Sequence, residues 1–207
     1  MYKKILLLFL TASMLLLCSC AKEHATAAQV LDALVEAEIG LPAGQIYLSA
    51  APEDDASYLS PDLVAALYGE GELPWQLSLV QVYGIFLSTA QQPCEFAVFR
   101  VRARSDTDDV AAMCLSRLDA LRIHYKNTPY ASHIQNARVV VIDKYVLLLI
   151  SSDTEHALGA AKRVLYHPST ANAVDGFHRA AISSTRVDFI CPLGTDFIIL
   201  YLTSVIT

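Results

Sequence analysis

The chain of 207 residues is 54% hydrophobic, has a mean hydropathy of +0.40 and carries a formal net charge of −6. This acidic balance argues against nucleic-acid binding, because proteins that bind nucleic acids carry basic surfaces. Apolar segments at both ends raise the hydrophobic content. The residues between them make one domain of ordinary size, whose stability requires neither a disulfide framework nor a metal.

Residues 1–19 have the layout of a secretory signal peptide. Lys3 and Lys4 give a positive start, residues 5–17 are apolar, and small residues follow. As a helix, this apolar stretch would cover about 20 Å, which is short of the roughly 30 Å hydrocarbon core of a bilayer. The segment is therefore predicted to be removed rather than to span the membrane.

The signal ends on Leu17-Cys18-Ser19-Cys20, which resembles the bacterial lipobox. In that motif a small residue precedes the cysteine that receives diacylglycerol before cleavage on its amino side. We expect Cys20 to be lipidated, residues 20–24 to link the anchor to the domain, and the protein to lie on the extracytoplasmic face of the cell membrane. The alternative is ordinary cleavage near Ala21, which would release a secreted protein.

Charge is divided unevenly along the chain. Residues 21–95 have a net charge of −10, whereas residues 96–166 have a net charge of +3. A basic segment beside the anchor would be drawn to anionic lipid, and this segment is acidic. We therefore expect it to stay off the membrane surface.

The first part of the domain is predicted to contain one helix and a long loop. Residues 26–39 place Val30, Leu31 and Leu34 on one side, a helical spacing. Residues 41–76 are rich in Pro and Gly and are predicted to be mostly loop, with one short helix after Ser60-Pro61. The acidic run at residues 53–55 lacks calcium-loop spacing, so a solvated loop is favoured over a cation site.

A pattern of two strands and a helix then occurs twice. Residues 77–88 and 94–103 predict a hairpin followed by a helix at 105–125, and residues 137–142 and 145–151 predict a second hairpin followed by a helix at 152–166. Serines at 105 and 152, each with a carboxylate three residues later, offer capping boxes. Residues 25–166 are thus predicted to form a single α+β domain. Its four-stranded antiparallel sheet comes from two β-β-α units with their helices on one face, and the N-terminal helix packs nearby on the other.

The two units also resemble a known family. The stretches CEFAVFRVRARSDTDDVAAMCLSRLDAL and NARVVVIDKYVLLLISSDTEHA are similar to a domain of unknown function in lipoproteins of Gram-positive anaerobes (Firmicutes). The resemblance covers about residues 75–165 and implies an envelope lipoprotein with this fold, but it brings no catalytic residues. At Asp143 the family would have glycine in the turn, and Asp tolerates the left-handed conformation better than most residues.

Residues 167–207 form a C-terminal extension that the resemblance does not cover. Its last part, residues 197–206, is an uninterrupted run of β-forming residues that is too short to span a membrane as a helix. It could be an added edge strand, a segment that depends on a partner, or sequence that does not pack well. Exposed, such a run would favour aggregation.

No motif in the sequence indicates a catalytic, metal or cofactor site. Cys94, Cys114 and Cys191 are widely spaced and odd in number, and the six histidines lack ligand spacing. We therefore predict no catalytic residues, no metal and no cofactor.

The one candidate ligand site is a row of arginines. Arg100, Arg102 and Arg104 alternate with apolar residues, so an extended strand would carry them as a stripe about 13 Å long on one sheet face. Guanidinium groups bind the phosphates and carboxylates of envelope polymers well. The competing interpretation is that these arginines pair with the acidic segment of the same chain.

Three functions are compatible with these features. The first, which we favour, is a membrane-anchored binding or interaction module of the cell envelope, with a polymer or a protein as its partner. The second is a hydrolase that acts on envelope material through a site assembled from distant residues. The third is a subunit of a surface assembly.

Overall fold

The structure, a computed structural model, describes residues 24–167. The predicted signal peptide, the lipidated Cys20 and the tail beyond His167 lie outside the described residues. The α+β class is confirmed. The sheet is antiparallel, and it has five strands in the order β1-β2-β3-β5-β4 rather than the predicted four.

Residues 24–167 form five strands and five α-helices. The strands are β1 (Gly44–Leu48), β2 (Val80–Ser88), β3 (Glu95–Val101), β4 (Arg138–Ile142) and β5 (Tyr145–Ile150). The α-helices are α1 (Ala27–Ala37), α2 (Pro61–Tyr68), α3 (Thr107–Tyr125), α4 (Ala131–Gln135) and α5 (Thr154–Tyr166). Short 3₁₀ turns at Trp75–Leu79 and Arg104–Asp106 precede β2 and α3.

Strand β1 lies in the region that was predicted to be mostly loop. It pairs antiparallel with β2 from Gly44 opposite Ser88 to Leu48 opposite Gly84. A β-carbon on Gly44 would lie 2.3 Å from Cζ of Phe86 and 2.6 Å from the Leu87 carbonyl oxygen, so a larger residue here would force its neighbours to shift. The five residues of β1 depend on this pairing, which the local sequence does not display. The predicted helix after Ser60-Pro61 is confirmed as α2.

Both faces of the sheet are covered by helices, which corrects the prediction that the two unit helices share one face. One core contains residues of α2, α3 and α4 together with Ala97 and Phe99 of β3. The other contains residues of α1 and α5 together with Phe96 and Val98 of the same strand. The prediction that the N-terminal helix covers the second face is therefore confirmed, and α5 accompanies it.

The connections between strand and helix differ in the two units. The chain passes from β3 to α3 through residues 102–106, which include a full 3₁₀ turn, but from β5 to α5 through residues 151–153 only. The predicted serine caps are also wrong. Asp153 caps α5 by accepting a hydrogen bond from the His156 backbone N–H, whereas Ser152 binds Glu38 at the end of α1. This contact ties the start of α5 to α1, on the face opposite α3.

Candidate functional site

The three predicted arginines do not form one stripe on a strand. Strand β3 ends at Val101, so only Arg100 has a strand position, while Arg102 follows the strand and Arg104 begins the next 3₁₀ turn. Arg100 is half-buried, and Arg102 and Arg104 are exposed. The expected 13 Å row is therefore replaced by a group of cations around the end of β3.

The three arginines make different contacts. The guanidinium carbon of Arg100 lies 5.9 Å from the ring centroid of Tyr145, within cation–π range. Nε of Arg102 donates to the Ser78 carbonyl at 3.2 Å. Arg104 approaches Asp143 at 4.0 Å, where both side chains are more than half exposed, so the contact contributes little.

Lys144 adds a fourth cation at the same end of the sheet. Its Nζ donates to the Arg102 carbonyl at 3.1 Å. We define the basic end as Arg100, Arg102, Arg104 and Lys144. The nearby Asp106 carboxylate is already occupied, since it accepts hydrogen bonds from the Ala103 backbone N–H at 3.2 Å and the Ser105 hydroxyl at 3.0 Å.

The basic end also lies where the chain enters the domain, at Ala25. The hydroxyl of Tyr145 donates to the carbonyl of Ala25, and Ala25 is buried. The ring of this tyrosine is the one under Arg100. Folding thus places Arg100, from the basic half of the chain, on the tyrosine that binds Ala25.

The acidic half of the chain does not supply the ion pairs that the competing interpretation required. Among residues 24–167, the one ion pair found for the three arginines joins Arg104 to Asp143, which belongs to the basic half. Within residues 24–167, the ion pair that joins the two halves is instead the one between Arg117 on α3 and Glu95 on β3, with Nη2 2.9 Å from Oε2.

This buried ion pair was not predicted from the sequence. Glu95 and Arg117 are 4% and 8% exposed, and the hydroxyl of Tyr68 donates to the second carboxylate oxygen of Glu95 at 2.7 Å. Burial and the neighbouring carboxylate raise the pKa of Tyr68 well above its usual value. A signal was present in the sequence, because Arg117 falls on the apolar stripe of α3 between Cys114 and Leu121. The buried Glu95 carboxylate thus accepts hydrogen bonds from both Tyr68 and Arg117, and a buried charge requires partners of this kind.

The described cysteines are unsuited to nucleophilic or redox chemistry. Cys94 and Cys114 are both buried and free. Burial, with smaller contributions from Glu38 and Glu95, raises the pKa of Cys94 to about 12, and burial likewise raises the pKa of Cys114. Both thiols are therefore protonated at neutral pH, whereas a reactive cysteine needs a lowered pKa.

The acidic loop at residues 53–55 is exposed and satisfied locally. One Asp55 oxygen accepts hydrogen bonds from the backbone N–H and the hydroxyl of Ser57, at 2.7 and 2.6 Å. These bonds lower the pKa of Asp55. Within residues 24–167, no three His, Cys, Asp or Glu side chains are grouped so that they could hold a metal ion.

A cavity of about 230 Å³ lies between α3 and α4. Its walls come from Arg122, Tyr125, Lys126, Ala131, Ile134 and Gln135. This volume is below the roughly 300–1,000 Å³ of ordinary ligand pockets. The cavity therefore offers a small molecule little enclosure.

Comparisons with known proteins give no relative. No family model, no curated protein and no solved structure matches the chain. Of the helices within residues 24–167, none is long and apolar enough to cross a membrane. The resemblance to lipoproteins of Gram-positive anaerobes stays a prediction.

Proposed function

We propose that the protein is a lipid-anchored module on the extracytoplasmic face of the cell membrane and that its basic end binds phosphate- or carboxylate-bearing envelope polymers. The observation that carries this proposal is the position of Arg100, Arg102 and Arg104 together with Lys144 at one end of the sheet. Their guanidinium groups are not occupied by the acidic half of the chain, and planar guanidinium groups match phosphate and carboxylate geometry.

The position of Ala25 supports a location of the basic end close to the bilayer. Ala25 is held against Tyr145 at the basic end, and five residue steps separate it from Cys20. A fully extended chain of that length covers about 18 Å at most. A lipid on Cys20 would therefore keep the basic end near the membrane, where polymers attached to or growing from the envelope present their anionic groups.

The cavity between α3 and α4 gives the hydrolase hypothesis little support, because its volume is below that of ordinary ligand pockets and its lining has no carboxylate, thiol or imidazole. The basic end is instead an exposed surface, which suits an extended polymer better than a small substrate.

Retention of the purified protein on isolated cell-wall material tests the proposal. The variant R100Q/R102Q/R104Q is expected to bind at least about tenfold more weakly, which corresponds to a loss of about 1.4 kcal/mol. The matched control is R122Q/R138Q/R163Q, which removes the same charge from exposed arginines elsewhere. Wild-type binding should also weaken as salt rises.

Two results would count against this function. Unchanged retention of R100Q/R102Q/R104Q would remove the arginines as the binding site. An equal loss in both triple variants would show that retention follows net charge and has no defined site on the protein.

A further inference from the structure

The two edges of the sheet differ in how far the rest of the chain covers them. Along β1, residues of the following loop fold back, so that the backbone N–H of Leu48 donates to the Ser57 carbonyl at 2.9 Å and the Gln45 side chain donates to the Ala56 carbonyl at 3.1 Å. At the opposite edge, β4 pairs with β5 alone. The edge of β1 is thus partly covered by the chain itself, whereas β4 presents an edge.

The register identifies the groups that β4 presents. Asp143 and Lys144 form a two-residue turn, and Ile142 lies opposite Tyr145, so these two residues form the hydrogen-bonded pair that closes the hairpin. Because hydrogen bonding alternates along an antiparallel pair, Val139 and Val141 direct their N–H and C=O groups outward. Within residues 24–167, these outward groups find no hydrogen-bond partner.

Apart from its first residue, the exposed Arg138, strand β4 lacks the features that usually protect an edge. Its sequence RVVVI contains no proline, glycine or lysine, and its pairing with β5 runs without a bulge. Val141 is 44% exposed, and Val139 and Val140 are only half-buried. An apolar edge of this kind is a template for pairing with another strand.

Helix α5 leads the chain to this edge. Its first turn lies at the start of β4, because Glu155 pairs with Arg138 at 2.6 Å. The helix has 13 residues, about 20 Å at 1.5 Å per residue, which matches the length of β5 beside it. Val164 and Leu165, near the end of α5, pack against the core that contains Ile142 and Tyr145 at the far end of the hairpin.

We propose that residues 197–206 form a sixth strand on the outer edge of β4 and run antiparallel to it. Residues 168–196 precede this run, more than enough to return from α5 to the start of such a strand. The run FIILYLTSVI is apolar at nearly every position, as is YVLLLI of β5, which is buried on both faces. This proposal goes beyond the proposed function and does not depend on it.

The topology of this addition obeys the rule for crossover connections. The new strand would be parallel to β5 and connected to it through α5. Seen from the α5 side with β5 pointing upward, the peptide groups of Tyr145, Leu147 and Leu149 point right, toward β4. The new strand lies further to the right, so the connection is right-handed, the hand found in about 98% of such units.

Amide hydrogen exchange, measured residue by residue on the detergent-solubilised full-length protein, tests the proposal. In one variant, residues 197–206 are replaced by a Gly-Ser sequence of equal length, and in the control variant residues 170–179 are replaced in the same way. The amides of Val139 and Val141 are expected to exchange at least about 100-fold faster in the first variant than in the full chain and the control. Val140 and Ile142, which pair with β5, serve as internal standards that report intact folding.

A second variant approaches the same contact from the other side. Val141→Pro removes an outward N–H without touching the ladder to β5, a position where proline is tolerated. We expect exchange within residues 197–206 to rise at least about tenfold, and unchanged exchange there would overturn the proposal. Equal exchange of Val139 and Val141 in the full chain and the Gly-Ser variant would also overturn it. So would protection that grows with protein concentration and persists in that variant, because a second copy would then occupy β4.

Discussion

Substituting Arg117 by methionine should strongly destabilise the domain. Arg117 donates to Oε2 of Glu95 from Nη2 at 2.9 Å and from Nε at 3.2 Å, and both side chains are at most 8% exposed. Methionine fills much of the space of the arginine stem but leaves the carboxylate buried with Tyr68 as its remaining hydrogen-bond donor. Removing one partner of a buried pair costs about 3–5 kcal/mol, a large share of the roughly 5–15 kcal/mol that stabilises a domain.

Equilibrium urea denaturation followed by circular dichroism measures this loss. The matched control is Arg122→Met on the same helix, where the partner Asp119 lies at 2.8 Å but both side chains are substantially exposed. That control should lose no more than about 1 kcal/mol. The comparison separates the effect of a buried charge from the effect of the substitution itself.

A double-mutant cycle with Glu95→Gln completes the test. If Glu95 and Arg117 stabilise the fold as a pair, the double variant should lose less than the sum of the single variants by at least about 1 kcal/mol. A loss below about 1 kcal/mol for Arg117→Met, or additive effects in the cycle, would refute the reasoning.

Four further variants test other parts of the fold. In the folded chain the pKa of Cys94 is about 12, and the pKa of Cys114 is also raised. The contribution of each buried thiol to stability is therefore complete below about pH 8.5 and is lost as pH rises from there toward 12. C94A and C114A should each flatten the fall of the unfolding free energy between pH 9.5 and 11 by about 1.4 kcal/mol per pH unit, and an unchanged slope would contradict the burial of the thiol. Gly44→Ala should cost about 1–3 kcal/mol in urea denaturation, since its β-carbon would meet Phe86, and a neutral effect would argue against the β1–β2 pairing. Asp143 has φ of 53°, so Asp143→Gly should raise the thermal midpoint by relieving about 1 kcal/mol of left-handed backbone strain, and a lowered midpoint would show that its side chain matters more.

The elements with strong local patterns could be predicted from the sequence. The stripe of Val30, Leu31 and Leu34 gave α1, whose start is fixed by a capping box between Thr26 and Gln29. Alternating and continuous apolar runs gave the two hairpins, and Asp143 adopts the left-handed turn conformation expected of it. These features are encoded by neighbouring residues, so local physics is sufficient to find them.

The features that depend on distant contacts were missed or wrong. Strand β1 has five residues and exists through its pairing with β2. The face on which each helix packs is set by the length of its connection and by the contact of Ser152 with Glu38, which are 114 positions apart. Helical periodicity reveals that a helix has an apolar side, but it does not say which side of a sheet receives it.

The sequence predicted which arginines belong to the candidate site but not how they are arranged in space. Alternation along β3 correctly put Arg100 on one face, but the strand ends at Val101, so Arg104 departs from the row. The position of Arg100 near Ala25 follows from Tyr145, whose ring lies under Arg100 and whose hydroxyl binds Ala25, a contact across 120 positions. No sequence pattern links those two residues.

Lipidation of Cys20 underlies the proposed location and function, and mass spectrometry of the protein purified from the membranes of its host tests it directly. We predict an N-terminal peptide that begins at Cys20 and carries diacylglycerol on the cysteine sulfur. A peptide with an unmodified thiol at Cys20, or one that still contains residues 1–19, would contradict the account.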